Sequence, residues 1–580
     1  MTAHQQAINT HWDAIVIGSG VGGMTAAAFL ATNGKRVLVL EQHSVLGGSS
    51  HVFRRKKQWE FDVGMHYVGD CGSDGQMPRI FRSLGLEGRM EFLPMEPTGF
   101  DTIVFPEVSV KVPVGWDNYL ANLIQAFPKE EKNLRKFVKI VSSVGFAIDR
   151  SRSPASLANM AKMAFDAKLA AAWALLPVAK LLDYCQLSPT ARSVVSVQFG
   201  LYGCPPSRAP VVVHAGLLHN YIHGGAWYPK GGGQVFSAYL YDVLKQHNGT
   251  AMTSALVQKI IMEHGRVAGV QLKDGQEFRA PIIVSNADLK KTYLELIGAE
   301  HLPNGLVKKA NNFVMSTPFI NVYLGVDVDL SKHMPKTNYF SMPTNSNLEQ
   351  VHDVMIDNPY HLSRDEWLKL VKKEMPAFIH CGSIKDPDNP HHAPKGCSSL
   401  EAMYMMPRGR QFWTSAKAGE KYSRDPQYID LKEQLTELMI QRTEAVIPAI
   451  KGKILWKEAS TPLTQGHYTY STDDTAYGLE CNIKQFGPFR PRSRTPVKGL
   501  FICGTSTAWG PSIEGSVISG MQAAAAVLDR DLDAEIRSGK IYGDPSILTS
   551  GGTGWDPLKT TSNLNKKAKV VNVDEGCDRH

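Results

Sequence analysis

A glycine-rich turn near the N-terminus places the strongest constraint on how this chain can fold. Gly18, Gly20 and Gly23 form the pattern G-x-G-x-x-G. The turn follows a short apolar run at 13–17 and precedes an Ala-rich stretch, after which a second apolar run lies at 36–40. Short runs rich in β-branched residues are typical of strands buried on both faces. The segment therefore predicts a strand, a helix and a parallel strand, as in a Rossmann fold.

Each position of this turn has a physical role in binding a dinucleotide. Gly18 permits a tight turn, Gly20 lets the backbone approach a pyrophosphate, and Gly23 lets the helix pack close to the strand. Glu41 ends the second strand, where a carboxylate can accept hydrogen bonds from both hydroxyls of a ribose. Because an acid disfavours a 2′-phosphate at this position, the residues predict FAD or NAD.

A second pattern of strand, glycine turn and helix lies at the opposite end of the chain, at 499–528. Between the two patterns, residues 255–284 alternate in polarity as strands do and contain two hairpin turns. Residues 127–190 have a helical composition instead. Two nucleotide-type segments at opposite ends of a chain predict one domain that is assembled from separate pieces, with another domain inserted between them.

The residues that follow Glu41 resemble a known superfamily. LGGSS at 46–50 and FDVGMHY at 61–67 are similar to segments of the flavoprotein superfamily of phytoene desaturases, carotenoid isomerases and retinol saturases. The resemblance covers most of residues 12–530. Further matching stretches are YPKGG at 228–232, VSNAD at 284–288, DP through APKG at 386–396, and TPLT at 461–464. GSS resembles the isomerases, whereas MHY and TPLT resemble the saturases.

The resemblance implies a fold class and a domain division. We expect an α/β fold with a Rossmann-type, glutathione-reductase-like FAD-binding domain built from discontinuous segments, and an inserted α+β substrate domain. A polar C-terminal segment is expected to be mobile. The predicted boundaries are 10–115, 225–295 and 490–535 for the FAD-binding domain, 116–224 and 296–489 for the substrate-binding or lid domain, and 545–580 for the mobile tail.

The resemblance also implies which residues hold the cofactor. The Gly-Gly segment approaches the pyrophosphate, the Asp-x-Gly segment runs past the flavin, and the C-terminal turn supplies backbone donors near it. Many family members have Arg where Ser49 stands and an acid where Thr505 stands. In addition to the first turn and Glu41, the expected FAD-binding residues are Gly47, Gly48, Ser49, Val257 (whose backbone would lie beside the adenine), Gly504, Thr505, Gly515 and Ser516.

The implied activity is that of an FAD-dependent oxidoreductase that acts on carbon-carbon double bonds of a polyene or isoprenoid lipid, a retinoid or carotenoid, by hydride transfer at flavin N5. Saturation, desaturation and reductive isomerisation share this step, and the sequence leaves them open. Saturating a double bond also needs a proton, so Tyr and His residues beside the matched segments are candidates. The predicted proton donors are His66, Tyr67 and Tyr468, with His467 and Tyr477 as further candidates.

Two other functions remain open at this stage. A flavin amine oxidase shares the fold and the N-terminal motif, but its substrate would be a polar amine. A non-catalytic lipid carrier, like the GDP-dissociation inhibitors, has a related architecture but needs no complete FAD site. No second G-x-G-x-x-G opens a helix after a strand, so NAD(P)H is a candidate electron donor that would dock only transiently.

The rest of the sequence indicates an intracellular protein without metal or nucleic acid. Its eight Cys residues have no C-x-x-C pair and no spacing typical of zinc sites. The net charge of +8 is spread thinly over 580 residues. The N-terminal residues lack the apolar core of a secretion signal, which predicts a cytoplasmic location. Residues 157–182 and the basic run 54–57 allow peripheral membrane contact, although a core helix and a solvated hairpin are the favoured interpretations.

Overall fold

The computed structural model of the protein describes residues 12–151, 160–417, 420–552 and 554–565. The strands are β1 (Ala14–Ile17), β2 (Val37–Leu40), β3 (Val52–Arg55), β4 (Trp59–Asp62), β5 (Val68–Gly69), β6 (Phe92–Pro94), β7 (Asp101–Val104), β8 (Ser109–Val112), β9 (Ala226–Pro229), β10 (Thr250–Met252), β11 (Val257–Glu263), β12 (Arg266–Leu272), β13 (Glu277–Arg279), β14 (Ile283–Ser285), β15 (Phe319–Val326), β16 (Asn338–Ser341), β17 (Ala377–His380), β18 (Ser398–Met405), β19 (Ile454–Ser460) and β20 (Leu500–Ile502).

Helices connect and cover these strands, and short 3₁₀ and π segments join several of them. The α-helices are α1 (Val21–Thr32), α2 (Gln76–Ser83), α3 (Trp116–Ala126), α4 (Glu131–Ser151), α5 (Met160–Trp173), α6 (Val178–Cys185), α7 (Pro189–Ser196), α8 (Val211–Gly224), α9 (Gln234–Gln246), α10 (Leu289–Lys291), α11 (Asn304–Asn311), α12 (Leu348–His352), α13 (Arg364–Glu374), α14 (Gly382–Lys385), α15 (Arg410–Trp413), α16 (Pro426–Val446), α17 (Pro462–Thr469), α18 (Ile513–Leu528), α19 (Leu532–Arg537) and α20 (Pro557–Thr560).

The first sheet is parallel and has the strand order β10-β2-β1-β14-β20. Every residue of β1 and β2 is buried, as expected for continuous apolar runs inside a sheet that is covered on both faces. The strands come from both ends and from the middle of the chain. The prediction of a Rossmann-type sheet assembled from discontinuous segments is therefore confirmed.

The helices that follow the two glycine turns, α1 and α18, pack against each other. A Cβ atom at Gly520 would lie only 2.1 Å from the carbonyl oxygen of Gly22, so the absence of a side chain there permits the close approach. Helix α9 packs against α1 as well. Both glycine turns consequently open at the same edge of the first sheet, beyond the carboxyl ends of its strands.

The second sheet has seven strands in the order β19-β15-β18-β17-β16-β7-β8. Its pairs are antiparallel except for β16 and β7, which run parallel. The central strands β15 and β18 pair over eight residues, and all of these residues are buried. Helix α16 packs against this sheet, and the helices between 116 and 224 form a bundle beside it.

The structure differs from the predicted boundary at residue 115. Strands β7 and β8, at 101–112, fall within the predicted FAD segment 10–115 but belong to the second sheet. The reason is the parallel register of β7 with β16, in which Asp101 pairs with Asn338 and Val104 with Ser341. The division of the chain into domains otherwise stays a prediction.

The two predicted hairpin turns at 263–265 and 274–275 are confirmed, because they join β11, β12 and β13 into an antiparallel sheet. The basic run 54–57 also forms a hairpin, between β3 and β4. Its arginines are not simply solvated, however. Arg54 makes ion pairs with Glu60 and Asp556, and Arg55 pairs with Glu458.

The prediction of a mobile tail is wrong for residues 545–565 that the structure describes. Helix α20 packs against α9, and the side chain of Gln234 donates a hydrogen bond to Thr561 at 2.9 Å. Leu558 is buried against Val45 and Val52. Composition missed these contacts because a few apolar residues are enough to anchor a polar segment. Residues 566–580 lie outside the described residues.

The favoured interpretation of 157–182 as a core helix is also wrong in part, because the helix is interrupted and its described middle is not buried. Residues 152–159 lie outside the described part. Helix α5 ends at Trp173 and a break at Pro177 precedes α6. None of the residues 167–177 is buried, whereas Leu181 and Leu182 of α6 are.

None of the helices in the described ranges combines the length and the hydrophobicity that a bilayer span requires. The cysteines in those ranges all lack a disulfide partner.

Candidate active site

The first glycine turn has the backbone geometry that its sequence predicts. Gly18 follows β1 with φ +89°, a left-handed conformation that glycine adopts without a steric penalty, and its N–H donates to the carbonyl of Leu40 at 2.8 Å. A Cβ at Gly23 would lie 2.2 Å from the carbonyl oxygen of Gly18. Glycine is therefore required at both ends of the turn.

Asn286 connects the two ends of the chain at this site. Its backbone N–H donates to the carbonyl of Ile17 at 2.8 Å, so its side chain reaches into the space between the glycine turns. A Cβ at Gly20 would lie 2.7 Å from Asn286 Nδ2, and one at Gly504 would lie 2.6 Å from Oδ1. The sequence comparison included Asn286 in a matched stretch but did not identify it as a site residue.

Glu41 is buried at the end of β2, where the sequence predicts a ribose contact. One carboxylate oxygen accepts hydrogen bonds from the N–H and the hydroxyl of Ser19, at 2.8 and 2.6 Å. The other accepts from the N–H of His43 at 2.8 Å. A carboxylate has about four lone-pair sites, so Glu41 keeps capacity for a further hydroxyl donor.

The Gly-Gly segment lies directly over the first turn. Gly47 and Gly48 have φ of +126° and +54°, and a Cβ at Gly48 would lie 2.9 Å from the Cα of Gly20. Ser49 is exposed. Its carbonyl oxygen lies 3.2 Å from the position of a Cβ at Gly64, which brings the Asp-x-Gly segment beside the same turn.

The C-terminal turn is held by hydrogen bonds to its backbone. The N–H of Gly504 donates to the Ser519 hydroxyl at 2.9 Å. Ser512 caps helix α18 by accepting from the N–H of Gly515 at 2.7 Å. Ser516 follows in the first turn of this helix and is buried. The predicted residues Gly504, Gly515 and Ser516 therefore lie at one helix start, facing the first turn.

Arg490 fixes the predicted contact residue Thr505, and sequence analysis missed it. Its guanidinium is fully enclosed and donates to the carbonyls of Leu479, Glu480, Thr505 and Thr507, at 3.0, 3.3, 2.7 and 2.6 Å. In the sequence it stands in the basic stretch 490–494, which is typical of an exposed loop. Nothing local signals that it turns inward.

Val257 begins β11 and is buried. Two residues earlier, the N–H of Ala255 donates to the carbonyl of Glu41 at 2.7 Å. The structure thus brings the start of β11 next to the predicted ribose contact.

The residues present fit a dinucleotide at this edge of the sheet. Glycines line a cradle that any Cβ would fill. The buried carboxylate of Glu41 stands at the end where the adenosine is expected. The first turn of α1 faces the cradle with backbone donors. From the second turn, α18 presents a further helix start. The cradle therefore has the backbone approach and the donors that a dinucleotide pyrophosphate requires.

A second buried group of residues lies on the seven-stranded sheet, and we name it the buried polar cluster. It joins the Asp-x-Gly-x-His segment to β17, β18 and α14. Tyr228 donates to Asp62 at 2.5 Å. The members of the cluster are Asp62, His66, Tyr67, Asp101, Tyr228, Asn338, His380, Lys385 and Glu401.

Lys385 is the only amine of the cluster among the described residues. Its Nζ lies 2.8 Å from the carbonyl of His66, 2.5 Å from Asn338 Oδ1 and 2.7 Å from His380 Nδ1. Burial lowers the pKa of Lys385 to about 7, despite the neighbouring carboxyl groups. The amine therefore exchanges its proton readily near neutral pH.

Burial perturbs the acids and histidines of the cluster in the opposite senses. It raises the pKa of Asp62 and raises that of Glu401 well above its usual range, in both cases with an added contribution from a neighbouring carboxylate. Burial and the Lys385 charge lower the pKa of His66 to about 3. The same causes hold the pKa of His380 well below its usual value. Both histidines are therefore neutral.

Tyr67 links the cluster to an apolar cavity. Its hydroxyl donates to Asp101 at 3.0 Å, and its ring lies 6.3 Å from that of Phe378. The ring of His66 lies 5.6 Å from the same phenylalanine. Phe378 lines a small cavity of about 30 Å³. The other lining residues are Val197, Phe199, Gly200, Leu201, Phe319, Phe340, Met342, Leu348, Pro376, Ala377, Met403, Tyr404, Met405 and Tyr477.

The structure brings together only some of the predicted proton donors. His66 and Tyr67 lie in the cluster, and Tyr477 lines the cavity. Tyr468 lies instead on exposed helix α17, where its ring is 5.4 Å from His43 and its carbonyl accepts from Gln42. His467 contacts Tyr468 there. This location is beside Glu41 rather than beside the cavity.

Two groups of described residues have the residue types of a metal site. In the first, His66, His380 and Glu401, the adjacent Lys385 amine already supplies positive charge. In the second, Asp149, His219 and His223, both ring nitrogens of His219 have partners, because Nε2 lies 2.7 Å from Asp149 and Nδ1 accepts from Trp116 at 3.2 Å. We assign no metal to either group.

Comparisons with known proteins agree with this geometry. Residues 16–84 match the family model of the NAD(P)-binding Rossmann-like domain, and residues 432–528 match that of the flavin containing amine oxidoreductases. Among solved structures, cyclohexylamine oxidase from Brevibacterium oxydans matches with a TM-score of 0.58 and 17% identity, over 90% of this chain and 99% of that one. At this identity the likeness shows the fold alone.

Curated relatives match over nearly the whole chain. All-trans-retinol 13,14-reductase of Danio rerio is 28% identical, over 90% of this chain and 87% of its own. The chloroplastic prolycopene isomerase of Arabidopsis thaliana is 27% identical, over 94% of this chain and 86% of its own.

Proposed function

We propose, from the premise that the chain belongs to the FAD-dependent superfamily of phytoene desaturases, carotenoid isomerases and retinol saturases, that it acts on a carbon-carbon double bond of a polyene or isoprenoid lipid. The observation that carries the proposal is the apolar cavity beside the buried polar cluster. A hydrophobic chain would pack against this apolar lining while its reacting bond meets the polar groups. Retinoids and carotenoids are the substrate class that the names of the relatives suggest.

The cavity argues against the amine oxidase alternative. None of the residues that line it carries a charge, and an ammonium group is costly to bury without a charged partner. A long hydrocarbon gains about 25 cal/mol for each Å² that it buries in such a site. The lining therefore favours a lipid over a polar amine.

The proposed FAD-binding residues are those of the two glycine turns, with Glu41 on the adenosine ribose, Val257 near the adenine, and Ser49 and Thr505 flanking the flavin. When bound, FAD supplies hydride transfer at N5. The five-stranded sheet would then form the cofactor domain, and the seven-stranded sheet the substrate domain. Because the described residues include a single Rossmann-type turn, NAD(P)H is proposed as a transiently docked electron donor.

The substrate would reach the cavity from a membrane surface. Leu175 and Tyr184 are more than half exposed, at 57% and 53%, and Leu176 is exposed beside them. Lys168 and Lys180 flank these residues, which suits contact with anionic lipid headgroups. We propose peripheral contact through this surface.

The spectrum and the product mass test the proposed function. We expect the purified protein to be yellow and, after anaerobic reduction, to convert a retinoid or a poly-cis carotenoid presented in vesicles. A gain of two hydrogens identifies a saturase, an unchanged mass an isomerase, and a loss of two by the oxidised protein a desaturase. Peroxide formed from a primary amine would support the oxidase, and protein that stays colourless in excess FAD would support the lipid carrier.

Glu41→Gln is expected to weaken FAD binding by about 10-fold to 100-fold, because a charged acceptor contributes roughly 1.5–3 kcal/mol to each hydrogen bond. Fluorescence titration of the apoprotein with FAD measures the dissociation constant. Glu263→Gln is the matched control, since Glu263 lies half-exposed in a hairpin and pairs with Arg279. Equal FAD affinity in the two variants would place the ribose elsewhere.

A further inference from the structure

Glu401 is a buried carboxyl group of the buried polar cluster that keeps an unpaired oxygen. It lies in the middle of β18, in the seven-stranded sheet. Its Oε1 accepts from the backbone N–H of Asp62 at 2.9 Å. Its Oε2 has no hydrogen-bond partner although it is buried. An acceptor left unpaired in this way is costly, whereas a neutral carboxylic acid has an O–H to donate.

The unpaired oxygen faces a histidine that also lacks a partner. His66 Nδ1 lies 3.6 Å from Glu401 Oε2 and makes no hydrogen bond of its own. A distance of 3.6 Å is too long for a hydrogen bond, but a small side-chain rotation would close it. A proton on Glu401 Oε2 would then point at the free lone pair of His66 Nδ1, leaving Nε2–H of this ring for a ligand.

Behind Glu401, two further groups complete a line of proton carriers. His380 Nε2 lies 3.8 Å from Glu401 Oε1 and is likewise without a partner. The other ring nitrogen, Nδ1, lies 2.7 Å from Lys385 Nζ. Each of the two imidazoles and the carboxyl group can accept a proton on one atom and release one from another.

We propose that Glu401 stores the proton for double-bond reduction and passes it through His66, while His380 and Lys385 reload it. This inference rests on the proposed function. One carbon of the double bond takes the hydride supplied by the reduced cofactor, and the other takes a proton from His66 Nε2. His66 Nδ1 takes the Glu401 proton, and Glu401 regains one from His380 Nε2. Lys385 then protonates His380 Nδ1 and recovers its proton from solvent.

The electrostatics of the cluster support this order of transfer. Burial and the Asp62 carboxylate raise the pKa of Glu401 well above its usual range, which favours the protonated acid that the proposed store requires. Lys385 has a pKa lowered by burial and releases its proton easily. The titratable groups that face Glu401 from the surrounding elements are Asp62, His66, Tyr228, Tyr323, His380, Cys381 and Lys385.

Glu401→Gln keeps the shape of the side chain and removes the proton store. We expect the rate at which a polyene oxidises the reduced protein to fall about 100-fold or more, with the flavin spectrum and the substrate KM unchanged. The wild-type rate should fall as pH rises through the raised pKa of Glu401, and this dependence should vanish in the variant. Glu433→Gln, at an exposed position of helix α16, should match the wild type.

An infrared measurement tests the stored proton without any substrate. We expect the wild-type protein near neutral pH to show the carbonyl band of a protonated carboxylic acid that Glu401→Gln lacks. Labelling of glutamate with ¹³C at its carboxyl carbon should shift the band in wild-type protein, which keeps the test available if the variant does not fold. The band separates this inference from the proposed function, because it requires no polyene turnover.

Three results would overturn the inference. The first is a wild-type spectrum without a glutamic acid band, which would mean that Glu401 is ionised. The second is a Glu401→Gln variant with the wild-type rate and pH profile, and the third is a stoichiometric bound metal that is lost with this substitution. A variant that loses its flavin would point to a structural role of Glu401. The infrared band of the labelled wild-type protein would then show whether Glu401 holds a proton.

Discussion

Gly23→Ala is expected to abolish flavin binding and to lower the stability of the fold. The added Cβ would lie 2.2 Å from the carbonyl oxygen of Gly18 and 3.0 Å from the Cβ of Asn286. The nearer atom belongs to the backbone, so helix α1 must move away from β1 to relieve the overlap. Overpacking of this kind costs about 3 kcal/mol. Flavin content after purification should fall at least about 10-fold, since a shift of roughly 1.4 kcal/mol already has that effect.

Gly305→Ala is the matched control for this substitution. Gly305 lies in helix α11, and a Cβ there would meet no atom within 4 Å. Alanine is favoured over glycine in helices by about 1 kcal/mol, so this variant should keep its flavin and be slightly more stable. Absorbance and thermal unfolding measure both quantities. Equal flavin content in the two variants would contradict the dinucleotide assignment of the first turn.

The parts of the fold that sequence analysis predicted well are those with a local physical signature. A glycine turn between two apolar runs has few structural solutions, so β1, α1 and β2 follow from residues 13–41 alone. The same holds for the hairpins of the 255–284 segment. The C-terminal pattern places β20 and α18 beside the first turn for the same reason.

Contacts between segments far apart in the chain could not be predicted from local sequence patterns. Strand β7 pairs with β16, more than two hundred residues later in the chain, and β8 joins the sheet only through β7. The register between such remote strands leaves no mark on the sequence of either one. The tail at 545–565 is polar by composition, yet Leu558 and Thr561 anchor it.

In the candidate site, too, residues in local motifs could be predicted from the sequence, and residues that meet only in the fold could not. Motifs identified the cofactor turns and His66, but the polar partners of His66 come from β17, β18 and α14, which contain no comparable motif. Tyr468 was predicted from its position beside a matched stretch, and the structure places it on the surface near His43. Lys385 stands in the sequence next to a matched Asp-Pro pair, and only the fold turns its amine inward.

Arg490→Met is expected to be the most damaging substitution outside the glycine turns. It would leave the carbonyls of Leu479, Thr505 and Thr507 without their donor, whereas the carbonyl of Glu480 would keep the hydrogen bond from Gln485. A buried acceptor without a partner costs about 1–3 kcal/mol, so the free energy of unfolding should fall by about 3 kcal/mol or more. Because Thr505 stands in the turn that we propose faces the flavin, the remaining folded protein should bind FAD more weakly.

Arg494→Met separates this effect from a simple loss of positive charge. Arg494 lies four residues later, is 58% exposed and pairs with the exposed Asp529, and a surface ion pair of this kind contributes at most about 1 kcal/mol. Denaturant unfolding and FAD titration of both variants measure the difference. If Arg490→Met were as stable as Arg494→Met and bound FAD as tightly, the guanidinium would not be what holds the Gly504–Thr505 turn. If stability fell but FAD affinity did not, Arg490 would support the fold without shaping the flavin site.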